Sequence, residues 1–203
     1  MSSPRIFKFF ATFSYNGQDH YHAKRVHKKL TEFVVPDELL SKYPEKLESV
    51  RPLYYMTTNF LNIKNERENA LHTSKFLIVI CTENIATFNG LGRNWEDEEI
   101  REFISLDPEN VHRIFPLLVQ KGKKLKPGKC MPPVLNELGI KPIDVRAKGM
   151  RRVLSDVVAE MLGFPPDELW AAVRRERNER TMAIIKACCI LLFIFGWIYL
   201  LSR

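Results

Sequence analysis

Glycine-rich phosphate loops, catalytic-serine elbows and cysteine frameworks are all missing from this chain of 203 residues. The segment after the first predicted strand, "SYNGQD", contains one glycine and no lysine, which excludes a P-loop and a dinucleotide-binding fingerprint. The chain also lacks the Gly-x-Ser-x-Gly elbow of the α/β hydrolases. The cysteines show no spacing typical of a disulfide framework, so we expect reduced thiols in a cytosolic setting at Cys81, Cys130, Cys188 and Cys189.

Metal-site spacing and a secretion signal are absent as well. His20 and His22 are two residues apart at a predicted helix start and cannot share a helix face. With His27 they are interpreted as surface histidines, and no metal site is predicted. The first residues contain no long apolar segment followed by a small-residue cleavage site, so we expect no signal peptide.

Positive charge is in excess, with a net charge of +7, but it is concentrated in two segments. These are the lysine-rich run at residues 121–129 and the arginine-rich region at residues 146–180. Neither is interleaved with aromatic residues or has zinc-finger spacing, so we expect no nucleic-acid partner. The lysine run is interpreted as a solvated loop, with a phosphate or lipid site as the alternative.

The C-terminal run "MAIIKACCILLFIFGWIYLL", residues 182–201, has the length and composition of a membrane span. Its one charge, Lys186, lies near the start, where the side chain can reach the interface. Arginines precede the run and only Arg203 follows it, so the positive-inside rule leaves residues 1–180 in the cytoplasm. The alternative is a buried core helix, which normally keeps a polar face.

Apolar strands alternate with amphipathic helices through the rest of the chain. The segments "IFKFFATFSY", "VRPLYYM", "KFLIVIC", "RIFPLLV" and "PIDVR" are predicted strands, and "KFLIVIC" is predicted to be central. This alternation predicts an α/β fold: a flavodoxin-like parallel sheet of four to five strands with helices on both faces. Ligands of such sheets bind beyond the carboxyl ends of the strands, which directs attention to residues 15–19, 56–62, 82–94 and 120–133.

The predicted helix that begins "NWEDEEI" carries four acidic residues in its first turns. Glu96, Asp97 and Glu98 are interpreted as a solvated start that matches the helix dipole, with Asp97 pairing with Arg101 at i+4. Glu99 differs because it shares a helical stripe with two aromatic residues, Trp95 and Phe103. A carboxylate beside apolar rings is partly desolvated, which raises its pKa and makes it a site candidate.

The segments "FATFSYNGQD", "SKFLIVICTEN", "NWEDEEI", "RIFPLLV" and "CMPPVL" occur in this order. Together they resemble a Toll/interleukin-1 receptor (TIR) domain of the bacterial kind that carries a C-terminal membrane helix, and the resemblance covers about residues 5–165. It implies a TIR fold at 1–145, an arginine-rich helical juxtamembrane connector at 146–180 and a transmembrane helix at 181–202. The Trp-x-x-x-Glu spacing of Trp95 and Glu99 resembles the segment that holds the catalytic glutamate in NAD⁺-cleaving members.

The resemblance implies cleavage of NAD⁺ at the nicotinamide–ribose bond, by hydrolysis or cyclisation, with Glu99 as the catalytic residue. NAD⁺ is then the substrate, and no separate cofactor is implied. Substrate-binding positions are implied at Tyr15, Asn16, Gly17, Phe60 and Trp95. The implied partners are other TIR domains and the lipid bilayer. The implied setting is bacterial antiviral defence, with a single-pass protein in the inner membrane and its TIR domain in the cytoplasm.

The alternative is a signalling adaptor or scaffold that acts only through TIR–TIR association. The loop Met56–Phe60 favours this alternative, because it lacks the charges common at this place in related bacterial proteins. The presence of Glu99 favours the enzyme. Fold alone does not decide between the two.

Overall fold

The computed structural model describes residues 6–55, 63–86, 94–119 and 130–201. These residues form one five-stranded sheet and the helices that surround it. The strands are β1 (Phe9–Ser14), β2 (Leu53–Tyr54), β3 (Ser74–Cys81), β4 (Ile114–Leu118) and β5 (Ile143–Asp144). The helices are α1 (His20–Thr31), α2 (Asp37–Lys42), α3 (Ile63–His72), α4 (Trp95–Ser105), α5 (Pro133–Glu137), α6 (Val145–Lys148), α7 (Met150–Leu162) and α8 (Pro166–Leu201).

The sheet is parallel throughout, in the order β2-β1-β3-β4-β5. This is the order of flavodoxin-like sheets, and it confirms the predicted parallel α/β architecture. The chain moves outward from β1 to β2 and then crosses to the other side of β1 to form β3. The sheet therefore has its topological switch point between β1 and β3, where ligands of such sheets bind.

The predicted central strand owes its position to a continuous apolar sequence. In β3 alternate side chains point to opposite faces, so Ile78 and Ile80 belong to one hydrophobic cluster and Leu77 and Val79 to the other. The first cluster includes side chains of α1 and α7, and the second includes side chains of α4 and α5. Both faces of the sheet are covered, as the unbroken apolar sequence of β3 predicts.

The two outermost strands are shorter than predicted. The segment Val50–Met56 contributes only the two residues of β2, and β5 is equally short. Both lie at the edges of the sheet, and short edge strands expose few unpaired backbone groups to other chains.

Helix α7 packs against the sheet. Its buried face joins the first hydrophobic cluster, and the cluster's buried residues continue into α8 as far as Ala172. The predicted boundary at residue 145 therefore lies next to a helix that shares the core of the sheet. The buried residues of α7 in the cluster are Val153, Leu154, Val157, Val158, Ala159 and Met161.

Helix α8 is continuous over 36 residues and includes the C-terminal apolar run. Large apolar side chains along its second half are exposed; Leu192 and Phe193, for example, are each 72% exposed. The side chains of Tyr199 and Leu200 lie outside the described residues. Within the described residues no helix has both the length and the apolar character needed to cross a membrane.

Candidate active site

The candidate site lies at the switch point of the sheet, beyond the carboxyl ends of β1 and β3. Ser14 is the last residue of β1, and Thr82 follows β3 directly. Helix α4 brings Glu96 and Glu99 to this edge, and α3 brings Arg67. The residues come from four separate elements, so the sheet topology assembles the site.

Glu99 is held by two polar partners. The Ser14 hydroxyl donates a hydrogen bond of 2.6 Å to Glu99 Oε2, and the guanidinium of Arg67 forms an ion pair with Oε1. Ser14 is fully buried, and only 16% of the Glu99 side chain is exposed. The carboxylate is therefore fixed from both sides with little access to water.

Burial raises the pKa of the Glu99 carboxyl above its ordinary value of 4.5, while the charge of Arg67 and the Ser14 hydrogen bond lower it. The direction of this shift confirms the sequence prediction. The partners differ from the expected ones, because the sequence stripe pointed to aromatic neighbours. Phe103 is completely buried in the second hydrophobic cluster, and Trp95 is 41% exposed.

Glu96 is a second buried acid in the same helix, which corrects the prediction that it is solvated. Its residue exposure is 4%, and burial raises its pKa from 4.5 to about 7. The charges of Glu99 and Asp19 add to this rise, and the guanidinium of Arg67 opposes it.

Glu98 is exposed, as predicted, and Asp97 accepts from Arg101 Nε at 2.9 Å, as predicted. The first turn of α4 is therefore only partly a solvated helix start.

Asp19 ties the end of β1 to the end of β3. Asp19 directly precedes α1, but its side chain makes no capping hydrogen bond to that helix. Its carboxylate instead accepts from Thr82 Oγ1 at 2.5 Å and from Asn84 Nδ2 at 2.9 Å. Asp19 and Thr82 are both buried, so this pair fixes the two loops that frame the switch point.

A group of aromatic rings lies beside the end of β1. Tyr15 is 5% exposed and stacks on Tyr55 with ring centroids 5.8 Å apart. Tyr55 also stacks on His27, and its hydroxyl lies 2.9 Å from the ring of His20. Burial raises the pKa of Tyr15 and lowers that of His27. The predicted substrate position at Tyr15 is therefore a buried wall of the site, supported by a neighbouring ring.

The other predicted substrate positions are less enclosed. Asn16 Nδ2 donates to the carbonyl of Asn84 at 3.3 Å, and the Asn16 side chain also accepts from the Gln18 amide. A side chain at Gly17 would meet open space. Phe60, in the loop Met56–Phe60, lies outside the described residues, as does the lysine run at residues 121–129.

One cluster in the described part of the chain has the chemistry of a metal site. Single ligand atoms of Glu68, His72 and Glu102 lie within 4.8 Å of one another. His72 Nε2 and Glu102 Oε1 are 2.5 Å apart, which a direct hydrogen bond explains without an ion. The cluster lies on the α3–α4 surface and shares no residue with the group around Glu99.

The position of α4 depends on its N-terminal cap. Asn94 is 7% exposed, and its side chain accepts from the Asp97 amide at 3.1 Å. Asp97 in turn accepts from the amide of Val134, so the helix start is joined to α5.

Replacing Asn94 with alanine is expected to lower the free energy of unfolding by about 1 kcal/mol, the usual cost of losing such a cap. Chemical denaturation monitored by tryptophan fluorescence measures it. Asn136→Ala is the matched control, because Asn136 is an exposed asparagine. Equal stability of the Asn94 variant and wild type would show that the cap does not position α4.

No protein-family model matches the chain, and no curated protein is similar enough to count as a relative. Function therefore has to be inferred from the site. A buried carboxylate with a raised pKa, held by a hydroxyl at a sheet switch point, suits the stabilisation of positive charge on a bound substrate.

The sequence predicts Glu99 and Tyr15 as site residues but gives no indication of several residues that surround them in the structure. Arg67 lies in a polar helix with no distinctive pattern, and nothing in the sequence singles it out. Thr82 and Asn84 fall in a loop that the strand-end rule had marked. The buried state of Glu96 has no sequence signal, because adjacent acids at a helix start usually face solvent.

Proposed function

We propose that this protein is a membrane-anchored TIR domain protein that cleaves NAD⁺ at the nicotinamide–ribose bond. The observation that carries the proposal is the buried Glu99 carboxylate, which accepts a hydrogen bond from Ser14 at the switch point of the sheet. The order of the sequence segments and the Trp-x-x-x-Glu spacing support the family assignment. The five-stranded parallel sheet is compatible with it.

Cleavage breaks the bond between ribose C1′ and the nicotinamide ring nitrogen, and the bonding electron pair leaves with nicotinamide. Positive charge develops on the ribose, as in glycoside cleavage. The Glu99 carboxylate stabilises that charge and orients the ribose hydroxyls. A water molecule then adds to C1′ and loses a proton to give ADP-ribose, or an atom of the adenine ring adds and gives a cyclic product.

The substrate positions divide by their burial. Tyr15, supported by Tyr55, forms one wall, and Asn16 and Gly17 line the open side of the site. Trp95 is exposed enough to contact a bound ligand. Phe60 is the remaining proposed substrate position, and it lies outside the described residues.

The arrangement in the structure is the inactive state of the proposed enzyme, because Arg67 is paired with Glu99. Its guanidinium neutralises Glu99, and a neutralised carboxylate stabilises a ribosyl cation less well than a free one. In the active state Arg67 moves away from Glu99. Association of neighbouring TIR domains promotes that change, and a shared membrane raises their local concentration.

The proposed anchor is the apolar run at residues 182–201 in a single-pass, inner-membrane topology. Support comes from its composition, from the arginines that precede it and from the exposure of its side chains, such as Phe195 at 67%. With residues 1–180 in the cytoplasm, the site has access to cellular NAD⁺. The biological role is NAD⁺ depletion or nucleotide signalling in antiviral defence.

The enzymatic proposal is tested with the full chain reconstituted in phospholipid vesicles at graded surface density. Vesicles are incubated with NAD⁺, and free nicotinamide is measured by chromatography. We expect nicotinamide release that rises faster than the protein density, since association activates each domain. Absence of nicotinamide at every density would overturn the proposal.

The second candidate function is a non-catalytic TIR–TIR interaction module. The Arg67–Glu99 ion pair favours it, because a permanently neutralised Glu99 has no catalytic use. The uncharged sequence of the 56–60 loop points the same way. Energy transfer between labelled copies on the same vesicles, without NAD⁺ turnover, would favour this module.

Membrane insertion predicts that the chain stays with membranes after an alkaline carbonate wash. Replacing Leu192 and Ile194 with arginine is expected to release most of it, because each central charge opposes insertion by about 3 kcal/mol. Leu138→Arg, which adds charge at an exposed position near α5, is the control and should stay in the pellet. Release of the wild-type chain by carbonate would contradict the anchor.

A further inference from the structure

A groove of about 380 Å³ lies on the side of the domain from which the apolar run begins. Its walls come from the end of α1, the start of α7 and the middle of α8. Its polar lining consists of Lys29, Glu32, Arg151, Glu176, Arg177 and Arg180. The groove is well separated in sequence and topology from the group around Glu99.

Positive charge in the groove is only partly compensated. Glu176 forms an ion pair with Arg180, and Glu32 is paired with Lys28. Lys29, Arg151 and Arg177 have no carboxylate partner within 4 Å among the described residues. The groove is therefore lined by four cations, Lys29, Arg151, Arg177 and Arg180, against two carboxylates, Glu32 and Glu176, and this net positive lining suits a phosphate group.

The floor of the groove is apolar. It is formed by Phe33 and Val34 after α1, Leu154 of α7 and Val173 of α8. A ligand that fits both surfaces carries an anionic head and an adjoining apolar part. This pairing disfavours nucleic acid, because the groove offers no row of aromatic side chains for base stacking.

The groove also has a defined position relative to the proposed membrane surface. Arg180 is two residues before Met182, where the apolar run begins, and α8 is continuous through both. At about 1.5 Å per residue, Val173 lies roughly 14 Å along the helix axis from the start of the run. Arg177 and Arg180, five and two residues before the run, lie about 8 Å and about 3 Å from its start, within reach of an anionic bilayer surface.

We propose that this groove binds the headgroup of an anionic phospholipid of the phosphatidylglycerol class. Arg151 and Arg177 contact the phosphate, and Lys29 adds a third positive charge. Binding fixes the orientation of the domain on the bilayer, with the carboxyl edge of the sheet presented in the same way by every copy. That the ligand comes from the bilayer depends on the proposed membrane anchor. Recognition of the headgroup by the groove does not depend on it.

The test uses the full chain in a neutral detergent and dihexanoyl phosphatidylglycerol, with dihexanoyl phosphatidylcholine as the uncharged comparison. Native mass spectrometry counts the retained lipid molecules. We expect phosphatidylglycerol to be retained roughly tenfold more strongly than phosphatidylcholine, and Arg151→Gln/Arg177→Gln to remove that preference. The matched control, Lys24→Gln/Arg25→Gln, removes the same charge from the neighbouring exposed face of α1 and should keep it.

Several outcomes would overturn the proposal. Equal retention of the two lipids would show that the groove does not read the headgroup charge. If both double variants lost the phosphatidylglycerol preference equally, the preference would come from the net charge of the protein and not from the groove. Displacement of the lipid by an equal concentration of inorganic phosphate, or by a single-stranded oligonucleotide, would identify a different ligand. If only the membrane anchor is wrong, the carbonate wash releases the chain while the preference for phosphatidylglycerol is retained.

Discussion

Replacing Arg67 with methionine is expected to lower the free energy of unfolding by roughly 3 kcal/mol at pH 8, because it leaves the Glu99 carboxylate buried without its cation. The side chains of Arg67 and Glu99 are only 24% and 16% exposed, so water compensates little for the lost partner. At pH 5 the loss should be smaller. Removing the guanidinium raises the pKa of Glu99 further, and the protonated acid needs no counter-charge.

A double-mutant cycle with Glu99→Gln separates this effect from lost packing. The amide carries no charge, so Arg67→Met should cost much less in the Glu99→Gln background. Arg101→Met is the control, because the Arg101 side chain is 51% exposed and its partner Glu137 is 57% exposed. Denaturant unfolding at both pH values measures all variants. If Arg67→Met lowered the free energy of unfolding equally in both backgrounds, the ion pair between Arg67 and Glu99 would not stabilise the protein.

Replacing Glu96 with glutamine is expected to stabilise the protein at pH 8 by roughly 3 kcal/mol and to change little below pH 4.5. The folded-state pKa of about 7 lies above the ordinary value of 4.5. Between these values the folded chain holds a proton that the unfolded chain has released, so wild-type stability falls as pH rises through this window. Glutamine does not titrate and avoids this loss.

The measurement is the difference in unfolding free energy between Glu96→Gln and wild type from pH 4 to pH 8. A difference between variants removes the contribution of titrating groups that do not interact with Glu96, whereas the groups that face it, namely Asp19, Arg67, Cys81 and Glu99, stay coupled to its charge. Glu98→Gln, on the exposed side of the same helix, should show no such pH dependence. A flat difference for Glu96→Gln would mean that Glu96 is solvated, as its sequence suggested.

The sheet was predictable because its physical signal is local. The uninterrupted apolar sequence of β3 requires a strand covered on both faces, and the alternation with helices requires parallel crossovers. The edge strands β2 and β5 are shorter than the apolar segments that predicted them. The length of an edge strand depends on how many residues pair with its one neighbouring strand, and the sequence does not show that pairing. What α7 packs against could not be predicted, because an amphipathic helix has the same pattern in a core as in a connector.

The site was predictable only where sequence spacing carries information. Glu99 is separated from its acidic neighbours by helical geometry, and the TIR resemblance selects the same residue. Its actual partners, Ser14 and Arg67, are 85 and 32 residues away in sequence and meet it only through the sheet topology. Glu96 was misjudged for the same reason, because burial is a property of what packs over a helix start.

The most direct test of the central claim is nicotinamide release from NAD⁺ by Glu99→Gln, compared with wild type and Glu98→Gln at the same high density on vesicles. Glutamine keeps the size of the side chain and removes the charge that the ribosyl cation needs. The account predicts that release falls by on the order of 10²-fold or more in Glu99→Gln and stays near wild type in Glu98→Gln. Release by Glu99→Gln at the wild-type rate would contradict it.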